Sequence, residues 1–520
     1  MSRARADGSG VSPDPEDIRV LAKGGAVTLV GTVAQAVAGM LLLVGLGRIL
    51  GAEGAGGFLE AVAIFNIAAV TATLGVDTGF IRSLSRSRAM GRRDTAGTTL
   101  WIGYVPLVVF GVVAGLVVAM NAESLAVFFA EGDGTDEVAT YLRIFAIFIP
   151  FGALLLATLG ATRAYETMVP TVLVDRVARL GSQAVLVTIA LAIGLDELWV
   201  AAAWGVPVLA AVVWAAVWLR RLASSDGPAT APERGPLRPL IVEFWSFTLP
   251  RSFASIFRVA VLWLDVLMVG ALISASAAGV YAVSTRLLQL GLAVAFAVGQ
   301  ASQPMISRLI TESGRESTRS IYETATAWQM LLTWPQYLAL AIFSGAFLGI
   351  FGSGFADGST TVVILAVSAM IGGAAGPVDM VLLMAGKSLW SFWNTALSLV
   401  INVVLNLVLI PRIGITGAAI AWATSRVVGN VLPLAQLRSA LHLHPFGPRW
   451  NLAAWLSLAM FGLGGLAARA IFGDGLETAL VYLVVASVAY GLMLFRWRDR
   501  LDLRTAVAGF RKRLRQGGGV

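Results

Sequence analysis

An all-α, polytopic membrane protein is the fold this sequence predicts, on three observations. The 520-residue chain is 57% hydrophobic and only 13% charged, with a mean hydropathy of +0.80, well outside soluble globular composition. Apolar stretches of about 20 residues recur from end to end, each long enough to cross a hydrocarbon core of roughly 30 Å. The loops between them also alternate in charge. RSLSRSRAMGRRD (82–94), the linker from Arg220 to Leu240, RLITESGRESTR (308–319) and the tail after Phe495 are rich in arginine. NAESLAVFFAEGDGTDE (121–137) has five acids and no base, ISASA (273–277) has no charge, and FGSGFADG (351–358) has only Asp357. Alternation of this kind places the basic loops and both termini in the cytoplasm and requires an even number of spans.

The first 22 residues, polar and rich in Gly, Ser and Pro, read as a disordered cytoplasmic tail with no secretory signal. Apolar windows then predict fourteen spans, at about 25–47, 58–81, 97–120, 139–161, 170–194, 199–219, 248–272, 278–303, 325–350, 359–385, 389–410, 414–437, 451–472 and 478–495. The segment 221–240 carries four prolines in SSDGPATAPERGPLRPL and reads as a semi-rigid spacer between two units. TLVGTVAQAV…GAEGAGGFLEAVAI (28–64) lines up with TLPRSFASIF…SASAAGVYAVSTRL (248–287), and GLDELWVAAAWGVPV (194–208) echoes GITGAAIAWATSRVV (414–428). Six spans on each side of the spacer enter from the same face, so the units are parallel repeats about an axis along the membrane normal. The expected plan is an N-lobe (23–220), a C-lobe (241–438), two added spans (439–495) and a basic cytoplasmic tail (496–520). The lobes are expected to enclose a central cavity lined by spans one, two, seven and eight.

Charges inside spans are the candidate functional residues, because each costs about 2.5–3.5 kcal/mol at the bilayer centre on insertion scales. Span seven carries Arg251, Arg258 and Asp265 at steps of seven, with Ser255 between them, which returns to nearly the same helix face. Arginine offers a bidentate fork to phosphate oxygens, so this stripe reads either as a track for a phosphate-bearing anion or as snorkelling and internally paired charge. Asp265 and Arg286, counted from the outer ends of spans seven and eight, fall at similar depth. They read as a structural ion pair, or Asp265 as a coupling site for a proton or cation. Span five has Asp175, Arg176, Arg179 and Gln183, where Asp175 and Arg179 are four apart and can pair. Span eleven has Asn394, Ser398, Asn402 and Asn406 at steps of four, suited to sugar hydroxyls or to holding helices together. Arg426 lies in mid-span twelve, and Asp77 and Arg82 near the inner end of span two serve the helix end or gating.

Several chemistries drop out. There is no cysteine for a thiolate metal site or a disulfide. MAGKS (384–388) has Val381 where a phosphate-binding loop needs glycine, and no strand precedes it. His442 and His444 have no acidic or cysteine partners in sequence, so no metal or other cofactor is expected. The sequence pI of about 10.2 reflects topology-setting arginines and not nucleic-acid binding. Arginine outnumbers lysine 35 to 3, as in a GC-rich bacterial genome.

LDVLMVG followed by AAGVYAVSTRL, together with RILGAEGAGGF (48–58) and TLGVDTGFIRSLSR (73–86), resembles the polysaccharide-transporter branch of the multidrug/oligosaccharidyl-lipid/polysaccharide exporter superfamily. The resemblance covers roughly residues 20 to 440 as an ordered pattern. It implies a non-enzymatic flippase moving a polyprenyl-diphosphate-linked oligosaccharide from the cytoplasmic to the outer leaflet of a bacterial cytoplasmic membrane. It also implies polysaccharide polymerase and glycosyltransferases as companions. Arg251, Arg258, Arg176, Arg179, Arg426 and Asn402 are then the expected substrate-binding residues. A cation-coupled drug antiporter is the alternative, disfavoured by the lack of an acid in span one. A membrane glycosyltransferase or ligase is disfavoured by the lack of a large extramembrane domain.

Overall fold

A computed structural model describes residues 15–90, 95–128, 134–225, 237–312 and 314–501. The first half contains α1 (Pro15–Thr73), α2 (Val76–Ala89), α3 (Thr95–Met120), a short α4 (Ala122–Ala126), α5 (Gly134–Arg163), a π-helical segment (Thr171–Arg179) that continues as α6 (Leu180–Ala192), and α7 (Glu197–Ser225). The second half contains α8 (Leu237–Leu272), α9 (Ala275–Glu312), α10 (Gly314–Ile342), α11 (Ser344–Gly349), α12 (Ser359–Ala374), α13 (Val378–Met384) and α14 (Ser388–Leu441). It is followed by α15 (Pro448–Ser457), a π-helical turn (Leu458–Leu463), α16 (Gly464–Phe472) and α17 (Leu476–Arg496). No strand occurs among the described residues, as lipid demands of a chain that must satisfy its backbone within each segment. Helix α1 starts inside the expected tail, and the expected spacer is helical except for 226–236, which lie outside the described residues.

Nine helical runs among the described residues are long and apolar enough to cross a membrane, ten if the bent pair Leu237–Phe257 and Leu262–Leu272 is one span. Two of the nine turn back on themselves. In α14, Asn394 faces Gln436 and Gly429 lies against Ser398. Both pairs are centred near Gly414, whose φ of +63° breaks the helix, so 389–410 and 414–437 form an antiparallel hairpin. The same happens in α1 at Gly51, φ +73°. Before the break, Gly31 lies against Val172 and Gly45 against Thr188; after it, Gly57 lies against Val138 and Gly160 against Asp77. The windows 170–194 and 325–350 hold Thr171–Ala192 and α10, neither of which reaches that measure of length and apolarity.

The two halves meet along α1–α2 and α8–α9. Near the start of α9, the backbones of Gly56 and Gly279 touch. A Cβ on Gly56 would lie 1.7 Å from the Ala275 carbonyl oxygen, so only glycine permits the approach. Arg48 donates to the Ile350 carbonyl at 2.7 Å beside it. At the other end of the seam, Gly75 and Gly79 lie against Thr248, Arg82 stacks 4.2 Å from the Phe247 ring centre, and Arg86 pairs with Glu243. One apolar core runs through both halves.

Helices α15–α17 build a separate core on α10, where Tyr490 donates to the Leu331 carbonyl at 3.1 Å. The span formed by α12 and α13 is interrupted at 375–377. Carbonyls at and just before that break are taken up by ring donors: Trp334 on Met370, Trp450 on Ala374 and Tyr322 on Ala375.

Candidate functional site

Asp265 is 7% exposed, and the local register decides what holds it. Helices α8 and α9 form a tight antiparallel hairpin turning at 273–274, which sets Tyr281 across from Asp265 and Trp263 across from Arg286. Tyr281 Oη donates to Oδ2 at 3.4 Å. Asn406 Nδ2, from the first limb of α14, donates to Oδ1 at 2.7 Å, and Asn402 reaches the same carboxylate. The expected Asp265–Arg286 ion pair is not formed. Arg286 Nη1 donates to Gln289 Oε1 at 3.0 Å, and its guanidinium lies 4.9 Å from the Trp263 ring centre. Counting residues from the two span ends overestimated the turn; the short turn moves Arg286 past Asp265 by more than a helical turn.

A cavity of about 900 Å³ opens beside this carboxylate. Its walls come from α8, α9, α12–α13 and both limbs of α14: Asp265, Gln289, Asp379, Asn394, Ser398, Asn402, Trp422 and Arg426 among them. Phe257, Leu262 and Thr395 line it and are themselves exposed, so the cavity is open. This cavity lies within the second half: of the four spans expected to line a central cavity between the lobes, seven and eight contribute to it, and none of its described lining residues comes from α1 or α2.

The asparagine stripe of span eleven divides its work. Asn394 exchanges two hydrogen bonds with Gln436, at 2.7 and 3.0 Å, and so closes the α14 hairpin. Asn402 and Asn406 serve Asp265, with Asn406 Nδ2 also 3.3 Å from Asn402 Oδ1. Asn406 Oδ1 is buried without a hydrogen-bond partner. Asp265, Asn402 and Tyr281 line one side of the cavity, with Asn406 holding the carboxylate through its Nδ2. Arg426 lies in the same cavity, 5.3 Å from the Trp422 ring centre, and its Nε is buried without a partner.

A second charged group lies in the first half. The π-helical segment carries Asp175, Arg176 and Arg179; its wider turn is a form often found at functional sites. Arg179 Nε donates to Asp175 Oδ1 at 2.6 Å, pairing as the spacing of four allows. Its Nη1 donates to Gln183 at 3.1 Å, and Gln183 in turn donates to the Trp204 carbonyl. Arg176 Nη1 donates to Thr32 Oγ1 at 2.8 Å. Arg163 Nη2, at the end of α5, lies 3.9 Å from Asp77 Oδ2. Three arginines thus share one end of the half with two aspartates. Arg251 is exposed on α8, and the Arg258 side chain lies outside the described residues.

Sequence reasoning missed two members. Arg163 stood at a span end and read as an ordinary flanking charge. Glu60 is fully buried in α1, one turn from Gly56 on the side facing α9, with neither carboxyl oxygen hydrogen-bonded. Its signal was available as an acid within span two, at the opposite end from Asp77.

Solved structures share the fold over most of the chain. The chain superposes on the lipid II flippase MurJ, inward closed conformation, with a TM-score of 0.65 at 12% identity, covering 91% of this chain and 99% of that one. It superposes on the inward-facing form of a multidrug resistance MATE family transporter with a TM-score of 0.62 at 14% identity, covering 78% and 94%. Among curated proteins, it is 29% identical over 185 residues to the probable low-salt glycan biosynthesis flippase Agl15 of Haloferax volcanii, covering 34% of this chain and 38% of the relative. It is 24% identical over 279 residues to the probable flippase AglR of the same organism, covering 51% and 58%. The chain thus spans less than two thirds of the length of either curated relative. A family model described as polysaccharide biosynthesis protein matches residues 21–310, more than half of the sequence, and the chain belongs to that family.

Proposed function

We propose that the chain is a non-enzymatic flippase that moves a polyprenyl-diphosphate-linked oligosaccharide from the cytoplasmic to the outer leaflet by alternating access between two six-span lobes. The observation that carries this reading is the family match over residues 21–310, joined to charged groups retained inside apolar helices. In the full proposal the chain has fourteen spans, both termini in the cytoplasm, a bacterial cytoplasmic membrane around it, and a polymerase and glycosyltransferases as neighbours.

The roles follow from charge. Arg251 and Arg258 on α8, with Arg176 and Arg179 of the first half, meet the diphosphate; lipid tails stay in the bilayer while the glycan passes through the wet interior. Asn402 and Arg426 belong to the glycan's path. An inside-negative membrane drives an anion outward by about 2.3 kcal/mol per charge per 100 mV, so no nucleotide is needed. The Asp265 carboxylate facing the cavity supports a second element, coupling to a cation. Asp265 is held by amides and a phenol and not by Arg286, which leaves the carboxylate's charge uncompensated. A cation-coupled multidrug antiporter is the competing function.

The test is Arg258. In proteoliposomes carrying labelled lipid-linked oligosaccharide, Arg258→Ala is expected to abolish flipping at normal protein level. Arg258→Lys restores it only in part, because lysine keeps the charge and loses the bidentate fork. Full flipping by Arg258→Ala removes that residue from the mechanism, and drug efflux with no glycan export by the native chain overturns the function.

A further inference from the structure

We infer that the cavity of the second half receives an amino sugar of the cargo, with Asp265 anchoring its ammonium group; this rests on the flippase reading above. The argument begins with the charges that face the cavity. Two carboxylates, Asp265 and Asp379, stand against one guanidinium, Arg426. That guanidinium is turned toward other helices. A Cβ on Gly372 of α12 would lie 3.8 Å from its Nε, and Tyr337 of α10 is the ionisable group that acts on it. Neither acid forms an ion pair among the described residues. Asp379 is exposed and accepts from Ser391 Oγ at 2.6 Å; Asp265 is enclosed and is reached by neutral donors. The unanswered charge of the cavity is therefore negative, and it weighs most at Asp265, where water screens it least.

The neighbouring groups choose among cations. Asn406 and Tyr281 turn an N–H and an O–H toward Asp265, whereas a metal ion would require oxygen ligands there. A cation that brings its own hydrogens suits the carboxylate better. Oδ2 carries one long bond, at 3.4 Å, and keeps lone pairs for an ammonium N–H. Thr285, one turn beyond Tyr281 on the same face of α9, donates its hydroxyl hydrogen to the Ala282 carbonyl at 2.9 Å. Thr395, Ser398 and Ser425 likewise donate to carbonyls of their own helix, each at 2.9 Å. These four oxygens line the cavity and have lone pairs left to accept from a hydroxylated ligand; a hydrophobic cation would leave them unserved. Phe257 and Trp422 supply apolar walls for the C–H faces of a pyranose. The cavity volume of about 900 Å³ lies within the roughly 300–1,000 Å³ of small-molecule pockets. One carboxylate holds one cation, so the sugar's ammonium and a coupling cation exclude each other at Asp265.

Saturation-transfer NMR on the full chain in nanodiscs, near neutral pH, tests this with methyl glucosaminide, methyl glucoside and tetraethylammonium. The glucosaminide is expected to bind at least about ten-fold more tightly than the glucoside, the worth of one charged hydrogen bond. Tetraethylammonium, which has the charge and no hydroxyl or N–H, is expected to compete only weakly. Asp265→Asn is expected to erase the preference while the glucoside binds as before. Should Asp265→Asn fail to assemble, Ser398→Leu serves instead: it fills the cavity beside Gly429 and is expected to abolish binding of both glycosides. Equal binding of the two glycosides, binding of neither, or tetraethylammonium competing as well as the glucosaminide overturns the proposal. So does a preference that survives Asp265→Asn, or binding that survives Ser398→Leu. Because no lipid or transport enters the readout, each of those results leaves the flippase reading standing. A chain that binds the glucosaminide but flips no lipid-linked glycan overturns that reading alone.

Discussion

Asp265 and Glu60 are both buried carboxyls on interior helices, and the fold treats them in opposite ways. Asp265 opens toward a polar cavity and takes hydrogen bonds from two neighbouring helices. Glu60 is sealed in the apolar seam where α1 meets α9, with no partner for either oxygen. The difference follows from what surrounds each. Around Asp265, side chains alternate with an open cavity, so amides have room to reach the carboxylate. Around Glu60, one turn from the close approach of Gly56 to Ala275 and Gly279, neither carboxyl oxygen meets a donor. A buried charge with donors is a tolerated part of a site; a buried acid without them is a liability retained for some purpose other than packing.

The largest expected effect breaks the better-served carboxylate. Asn406→Ala removes the 2.7 Å donor and should lower stability by about 1.5–3 kcal/mol, the range for hydrogen bonds to charged groups. Adding Asp265→Asn should recover part of that loss, because the stranded charge is gone. Thermal unfolding of the purified single and double variants checks it, and additive losses would show that the two residues are not coupled.

The opposite sign is expected at Glu60. Glu60→Met replaces an unpartnered polar group with an apolar side chain of similar volume, and should raise stability by about 1–3 kcal/mol, the penalty of an unsatisfied buried group. A fall in melting temperature would mean that Glu60 has a partner in the folded membrane-embedded chain, and the contrast with Asp265 would collapse.

The smallest effect sharpens the comparison from outside. Arg286 stacks on Trp263 and does not pair with Asp265, so Arg286→Gln should cost about 0.5–2 kcal/mol, the range of a cation–π contact. Its effect should add to that of Asp265→Asn within about 0.3–0.5 kcal/mol. A coupling beyond that would restore the ion pair expected from span ends.

The sequence by itself determined the membrane class, the helical fold and most helix positions. Those depend on runs of apolar residues, which any single segment must satisfy against lipid whatever its neighbours do. It also singled out Asp265, Asn402, Asn406, Arg426 and the Asp175–Arg179 pair, because ionisable and amide groups inside such runs are rare enough to be conspicuous. Tertiary structure alone decided who meets whom. The tight turn at 273–274 gave Asp265 to Tyr281 and Arg286 to Trp263, and the packing of the first limb of α14 on α8 brought Asn406 to Asp265 across 141 residues of chain. The cavity lies within the second half because α14 folds back on itself there; hydropathy reports how apolar a helix is, and not which face of it another helix will cover.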